Sequence, residues 1–278
     1  MKLYKIETGN LKLDGGAMFG VVPKVIWNRL YPSDENNLCN WAMRSLLIET
    51  KDRKILIDTG MGNKQSEKFF SYYYPNGSET LENSLKKNGF STDDITDVII
   101  THLHFDHVGG AVKYNENKEL VPAFKNATYH IAKSQWDLAV SPNRREKASF
   151  LPENFIPLQE HNCLNLIEKE VELFPNIDIQ IYNGHTVGQI IPVINYNGKK
   201  IAYGADLFPS TAHLPMPYIM SYDTKPLETL KDRQRFFEKA IKNNYILFFE
   251  HDLYNECCSL KDTPKGVRAD KTFKLTDI

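Results

Sequence analysis

The 278-residue sequence lacks any continuous apolar stretch that could cross a membrane. A spanning helix needs about 20 consecutive apolar residues, and no such segment is present. The opening stretch MKLYKIETGNLKLDGG also lacks the apolar run of about seven residues or more that a secretory signal requires. We therefore expect an uncleaved, cytoplasmic chain without a membrane partner.

The sequence also has few cysteines and a small net charge. The four cysteines, Cys39, Cys163, Cys257 and Cys258, are too few and too irregularly spaced for a disulfide framework. The adjacent pair lacks a chelating spacing, so we expect reduced thiols and burial of Cys257 and Cys258. The formal charge of −1 gives no field that could hold a phosphate backbone, which argues against a nucleic-acid partner.

The chain contains no 20- to 50-residue repeat and no flexible linker, so we predict one domain over residues 1–278. RSLLIET with RKILIDTG, and IIPVINY with KKIAYGAD around Asn197–Gly198, are typical of β-hairpins. SETLENSLKKNGF predicts a helix capped by Ser78, and PLETLKDRQRFFEKAIKNN predicts a longer helix before a buried strand. This alternation indicates a layered α/β architecture.

Four apolar runs each finish on a residue that can bind a metal. VIITH ends on His102, IQIYNGH on His185, IAYGAD on Asp206 and YILFFEH on His251. Strand ends in α/β sheets are where side chains from distant parts of a sequence converge on a rigid scaffold. The pattern therefore predicts one shared site.

The stretch THLHFDHVGG adds more ligand types in a few positions. His102 and His104 alternate in extended chain and so share a face, whereas Asp106 and His107 follow at a turn. Counting the downstream residues gives seven ligands, which is more than one tetrahedral ion uses and suits two ions that share a carboxylate. Imidazole and carboxylate ligands fit Zn²⁺ best, with Fe, Mn or Co as alternatives. The competing interpretation, ordinary surface or core histidines, does not explain their coincidence at strand ends.

HLHFDH, followed by Gly184–His185, Ala205–Asp206 and His251, resembles the metallo-β-lactamase superfamily, with the likeness beginning near ILIDTG at Ile55. The resemblance implies a four-layer αββα sandwich with two mixed sheets. It also implies that His102, His104 and His185 hold one metal, that Asp106, His107 and His251 hold the other, and that Asp206 bridges them. Asp58 would orient a ligand histidine by accepting its other N–H; the alternative is a turn aspartate that caps its own backbone.

The segments HLHFDHVGG and GHTVGQ look most like the branch of N-acyl homoserine lactonases and related organophosphate and aryl-ester hydrolases. Those lactonases carry a tyrosine three residues after the bridging aspartate, where this chain has Pro209. Acyl homoserine lactone specificity is therefore not implied.

We hypothesise a hydrolase of lactones or carboxylic esters, with phosphotriesters as a side activity. Zinc can lower the pKa of bound water to about 7, which would make a metal-bridging hydroxide the nucleophile. Asp106 or a metal-bound water would protonate the leaving oxygen, and Asp206 would be the second catalytic carboxylate.

The alternatives are a glyoxalase II-like thioester hydrolase, a nuclease, a di-iron redox protein and a non-catalytic binding protein. A nuclease is disfavoured because this chain has no basic clamp for nucleic acid. A di-iron protein is disfavoured because those proteins usually have glutamate where this chain has His104.

Substrate contacts are harder to assign. Phe105, His213, Phe19 and Trp27 are candidates, although a loop histidine such as His213 more often makes an ordinary hydrogen bond. The aromatic segment KFFSYYYP around Tyr72 is typical of a substrate pocket, a homodimer contact or core packing. His130 and His161 show no partner pattern and are expected to be structural.

Overall fold

The computed structural model describes residues 1–278, which group into two compact units. The first comprises Met1–Asn10 and Met43–Lys169, and the second comprises Leu11–Ala42 and Glu170–Ile278. Each unit thus consists of two separate stretches of chain, so dividing the chain at a single position would not produce either unit. The single domain over residues 1–278 stays a prediction. None of the helices combines the length and apolarity needed to span a bilayer.

The first sheet has six strands in the order β1-β2-β3-β4-β7-β8. The strands, with the separate two-stranded hairpin β5–β6, are β1 (Lys2–Asp14), β2 (Leu38–Glu49), β3 (Lys54–Ile57), β4 (Asp97–Ile99), β5 (Val112–Tyr114), β6 (Leu120–Pro122), β7 (Thr128–Ala132) and β8 (Leu164–Ile167). Strands β2 and β3 form the predicted antiparallel hairpin, and β3, β4, β7 and β8 are parallel. The sheet is therefore mixed, as predicted.

The second sheet has seven strands in the order β15-β14-β13-β12-β11-β10-β9. They are β9 (Val171–Phe174), β10 (Ile177–Tyr182), β11 (Gln189–Tyr196), β12 (Lys199–Tyr203), β13 (Ile246–Phe248), β14 (Cys257–Lys261) and β15 (Arg268–Phe273). All pairs are antiparallel except β12–β13. Asn197 and Gly198 join β11 to β12 with φ angles of 51° and 75°, the left-handed geometry of a tight hairpin turn. This hairpin prediction is confirmed.

Eight α-helices connect the strands. They are α1 (Gly15–Phe19), α2 (Lys24–Trp27), α3 (Glu67–Tyr73), α4 (Leu81–Lys87), α5 (Phe105–Val108), α6 (Lys133–Val140), α7 (Ile156–Glu160) and α8 (Pro226–Lys242). The helix predicted from SETLENSLKKNGF is α4, but its N-cap is Thr80 instead of Ser78, since the Thr80 hydroxyl accepts a hydrogen bond from the Asn83 N–H. Gly89, with φ 84°, lies just beyond its last turn.

Leu227, in the first turn of helix α8, is 75% exposed and does not belong to the buried face of the helix. The buried face instead follows the helical spacing of Thr229, Asp232, Arg233, Phe236, Phe237 and Ala240. Two charged residues therefore lie on the buried face. In the second unit, the Phe208 ring packs against those of Phe236 and Phe237 with centroids 5.0 and 4.8 Å apart.

The core of the first unit is apolar on both sides of the parallel strands. Leu56, Val98, Tyr129 and Ile131 are completely buried there, together with Leu85 from α4. Such burial on both faces is typical of parallel strands covered by helices. It provides a rigid platform for the loops at the carboxyl ends of the strands.

Two further sequence predictions are confirmed by burial and bonding. Cys257 and Cys258 are fully buried, and neither forms a disulfide. The ring of His130 is held between Asp97 and Asn165, with its Nε2 2.9 Å from Asp97 Oδ1 and its Nδ1 2.9 Å from Asn165 Nδ2. This histidine is structural.

Candidate metal centre

Four predicted ligands lie three residues beyond the end of a strand. Strands β4, β10, β12 and β13 end at Ile99, Tyr182, Tyr203 and Phe248, whereas the ligands that follow are His102, His185, Asp206 and His251. The prediction that the strands themselves end on these residues is therefore wrong, because a short loop separates each strand from its predicted ligand. A strand fixes where each loop starts, and the loop lets the side chain leave the plane of the sheet.

In the first unit, His102 and His104 are 0% and 7% exposed. Their ring centroids are 4.5 Å apart at an interplanar angle of 80°, and each ring offers a nitrogen within 4.8 Å of the other's. Two imidazoles from an H-x-H sequence thus converge, as the sequence predicted.

Asp106 and His107 belong to the one-turn helix α5 instead of the predicted turn. Their carboxylate Oδ2 and imidazole Nε2 are 3.7 Å apart. Gly109 and Gly110 follow, and a Cβ at Gly109 would lie 2.0 Å from the Met61 carbonyl oxygen. Glycine is needed here because this backbone packs directly against the loop that carries Asp58.

Asp58 is fully buried and adopts a left-handed φ of 57°. Its carboxylate accepts hydrogen bonds from the Thr101 N–H (2.7 Å), from the Thr101 hydroxyl (2.6 Å) and from His107 Nδ1 (3.1 Å). These partners lie more than 40 residues away in sequence, so Asp58 does not simply cap its own turn. It has the contact that was predicted for it, with the ring of a ligand-type histidine.

In the second unit, the Asp206 carboxylate lies between two imidazoles. Its Oδ2 is 3.2 Å from His185 Nε2, and its Oδ1 is 3.0 Å from His251 Nε2. All three residues are buried. A carboxylate with one oxygen near each of two imidazoles has the geometry that a bridging ligand needs.

The Nδ1 atoms of four histidines are already engaged. His102 Nδ1 is 3.1 Å from the Thr101 hydroxyl, His107 Nδ1 is 3.1 Å from Asp58, His185 Nδ1 is 2.9 Å from Asp223, and His251 Nδ1 is 2.8 Å from the Ala42 carbonyl. Carboxylate and carbonyl oxygens only accept, and the Thr101 hydroxyl already donates to Asp58, so Nδ1 carries the proton in each ring. Nε2 is then the basic nitrogen. This arrangement fits zinc, whose ligand histidines usually donate their other N–H to such partners.

Sequence reasoning missed two acidic residues near these histidines. Asp223 contacts His185, and buried Glu146 has an oxygen 3.8 Å from His104 Nε2 while it accepts a hydrogen bond from the Asn143 amide. Both lie in polar loops without a recognisable spacing. Only the tertiary structure brings them next to ligand-type residues.

Three of the predicted substrate contacts are packing residues in this structure. Phe19, Trp27 and His213 are 0%, 1% and 0% exposed, and the Phe19 ring stacks on both of the others. The His213 ring lies 2.7 Å from the Ser210 hydroxyl through Nδ1 and 2.9 Å from the Met18 carbonyl through Nε2. Burial lowers the pKa of His213 to about 3, so the ring is neutral. With its nitrogens engaged and no exposed edge, it offers no contact to a substrate.

Phe105 belongs to the first unit, where it is buried next to the aromatic segment around Tyr72. That segment is α3, which has no buried residue, and Tyr72 is 60% exposed, so core packing does not explain it. Phe69 and Tyr73 place their rings 5.1 and 4.5 Å from that of Phe105. Tyr73 is half-buried, and this loss of hydration, followed by the charge of Asp106, raises its pKa. An aromatic surface therefore adjoins Asp106.

Comparison with known proteins agrees with this geometry. Residues 44–251 match the family model of the metallo-beta-lactamase superfamily. The chain is 26% identical over 268 residues to the N-acyl homoserine lactonase AiiA of Bacillus thuringiensis subsp. kurstaki, an alignment that covers 92% of this chain and 94% of the relative.

Two solved structures are also similar. One, described as a probable metal-dependent hydrolase from Staphylococcus aureus, has a TM-score of 0.89 and 30% identity, with 98% of this chain and 96% of that chain covered. The other is AidC, described as a dizinc quorum-quenching lactonase in complex with its product, with a TM-score of 0.79, 23% identity and coverage of 98% and 93%. The predicted fold class, α/β with two mixed sheets, is confirmed. The chain belongs to the metallo-β-lactamase superfamily and is one of its metal-dependent hydrolases.

Proposed function

We propose that this protein hydrolyses lactones or carboxylic esters at a centre of two zinc ions. As the family resemblance implies, His102, His104 and His185 would hold one ion, Asp106, His107 and His251 the other, and Asp206 would contribute to both. The observation that supports the proposal is that four of these histidines have Nδ1 engaged by a buried partner, which would leave Nε2 as the ligand atom. Ordinary surface histidines have no such uniform arrangement.

The reaction would require little else from the protein. Zinc held by these histidines and aspartates would lower the pKa of a bound water to about 7 and would polarise the carbonyl of the substrate. Asp206 would offset part of the positive charge at the site. Asp106 would accept the proton that the attacking water loses and pass it to the leaving oxygen as the C–O bond breaks. The aromatic surface of Phe69, Tyr73 and Phe105 excludes water beside Asp106, where an apolar part of the ester would pack.

The proposed substrate class rests on the names of the relatives, and Pro209, which replaces the tyrosine of those lactonases, limits it. AiiA and a second Bacillus thuringiensis relative are named N-acyl homoserine lactonases, which supports a lactone or ester carbonyl as the reacting group. Pro209 has no hydroxyl to orient such a carbonyl, so the proposal does not extend to acyl homoserine lactones in particular. Phosphotriester hydrolysis is proposed as a side activity, and a glyoxalase II-like thioesterase is the alternative.

The test combines metal analysis with a substrate panel. We expect about two zinc ions per chain and fastest turnover on γ-lactones or aryl esters, with slower turnover on paraoxon and S-lactoylglutathione. A preparation loaded with both ions that is fastest on S-lactoylglutathione would overturn the ester assignment. Full activity after exhaustive dialysis against a chelator would overturn the metal mechanism itself.

A further inference from the structure

Asp223 lies directly behind His185 in the second unit. Its Oδ1 accepts a hydrogen bond from His185 Nδ1 at 2.9 Å, and the residue is only 3% exposed. The next residue, Thr224, also holds the same histidine, since its backbone N–H and its hydroxyl donate to the His185 carbonyl at 3.0 and 3.1 Å. His185 is thus held by its ring and by its backbone.

The start of α8 fixes the loop on the N-terminal side of this histidine. Asp232 Oδ2 accepts hydrogen bonds from the Asn183 and Gly184 N–H groups, each at 2.8 Å. A Cβ at Gly184 would lie 2.3 Å from the Thr229 backbone, so only glycine allows this close approach. The position of His185 is therefore set by the 223–232 segment, far from it in sequence.

A buried cation offsets the cost of burying Asp223. Arg233 is 0% exposed, and its Nη1 donates to the carbonyls of His213 and Tyr218 at 2.8 and 2.9 Å. Burial lowers the pKa of Arg233 to about 10, and the charge of Asp223 opposes that shift. The Oδ2 of Asp223 makes no hydrogen bond, nor do Nε and Nη2 of Arg233, so their attraction acts through space.

We propose that Asp223 is a positioning residue that keeps the His185 ring in one orientation and one tautomer, with Nδ1 protonated and Nε2 directed to Asp206 and the first metal ion. The inference rests on the proposed function, because it presumes that His185 is a ligand. A ligand ring that could rotate or exchange tautomers would bind the ion less tightly. Removing such outer partners usually weakens metal binding by about 10- to 100-fold.

The test uses the full chain and the variants Asp223→Ala and Asp223→Asn. Asp270→Ala is the control, because Asp270 lies in the same unit but is exposed and paired with Lys261. Zinc affinity is measured by competition with a chromophoric chelator. The ¹⁵N NMR signals of the His185 ring are recorded in the metal-free protein, and thermal unfolding reports whether each variant is folded.

We expect Asp223→Ala to weaken one of the two zinc sites by about 10- to 100-fold and to shift the His185 signals towards mixed tautomers. Asp223→Asn keeps an acceptor oxygen and should lose less, and Asp270→Ala should match the wild type. Folded Asp223 variants with wild-type zinc affinity and unchanged His185 signals would overturn the proposal. If Asp223→Ala does not fold, Asp223→Asn decides by the same two readouts.

The metal-binding proposal can fail separately. A wild-type chain that binds no zinc would contradict the proposed function, whereas the His185 signals of the metal-free protein would still show whether Asp223 controls the ring.

Discussion

Replacing Asp58 tests the link between fold stability and metal binding most directly. Its carboxylate accepts three hydrogen bonds, two from Thr101 and one from His107, in a place with no exposed surface. Asp58→Ala leaves three buried donors without an acceptor. It also puts alanine at a φ of 57°, which favours glycine or asparagine. Asp58→Asn keeps the shape and the backbone preference but offers only one acceptor oxygen.

The expected loss of unfolding free energy follows from the buried hydrogen-bond donors that the substitution leaves without an acceptor. A buried donor left without a partner costs about 1–3 kcal/mol, and because neighbouring losses are not additive we expect about 3–5 kcal/mol for Asp58→Ala. At about 2–4 °C per kcal/mol this lowers Tm by roughly 6–20 °C. Asp58→Asn should cost less in stability. Both variants should weaken the zinc site of His107 by about 10- to 100-fold, since that ring loses its anionic partner.

Unfolding is followed by circular dichroism in excess chelator, so that the stability of the metal-free chain is measured by itself. Zinc affinity is then measured separately. Asp52→Ala is the matched control, because Asp52 lies in the exposed turn just before β3. If Asp58→Ala has the same Tm and zinc affinity as Asp52→Ala, the role given to these hydrogen bonds is wrong.

Three further outcomes are expected. Asp106→Asn should reduce kcat by about 100-fold or more, as loss of a general acid does, and near-normal turnover with both metals bound would contradict its role. The buried His213, with its pKa lowered from 6.5 to about 3, should contribute stability that is complete above pH 6.5 and is lost as the pH falls towards 3. In metal-free protein, wild type should therefore lose about 2 kcal/mol more than His213→Gln between pH 7 and pH 5 in urea titrations, and equal losses would refute this. Zinc at about 100 times its dissociation constant should stabilise the chain by about 2.7 kcal/mol per site, measured as a Tm rise that chelator abolishes.

Short-range patterns in the sequence predicted the hairpins and the longest helix well. The Asn197–Gly198 turn needs residues that tolerate a left-handed backbone, and the α8 sequence carries a proline start followed by apolar residues at helical spacing. The boundaries were less accurate. Thr80 caps α4 although Ser78 has the same chemistry, because the choice depends on which N–H the hydroxyl meets.

The sequence by itself determined which side chains are candidate metal ligands, because H-x-H-x-D-H and the later histidines and aspartate are recognisable from residue type alone. The tertiary structure decided how those ligands are held. Asp58 reaches His107 and Asp223 reaches His185 across 49 and 38 residues, and both contacts depend on how loops pack at the ends of strands. Burial likewise made His213 a packing residue, although its residue type and its place after Asp206 suggested a substrate contact. Residue type fixes which atoms can bind a metal or a proton, whereas long-range packing fixes which of those atoms are free to do so.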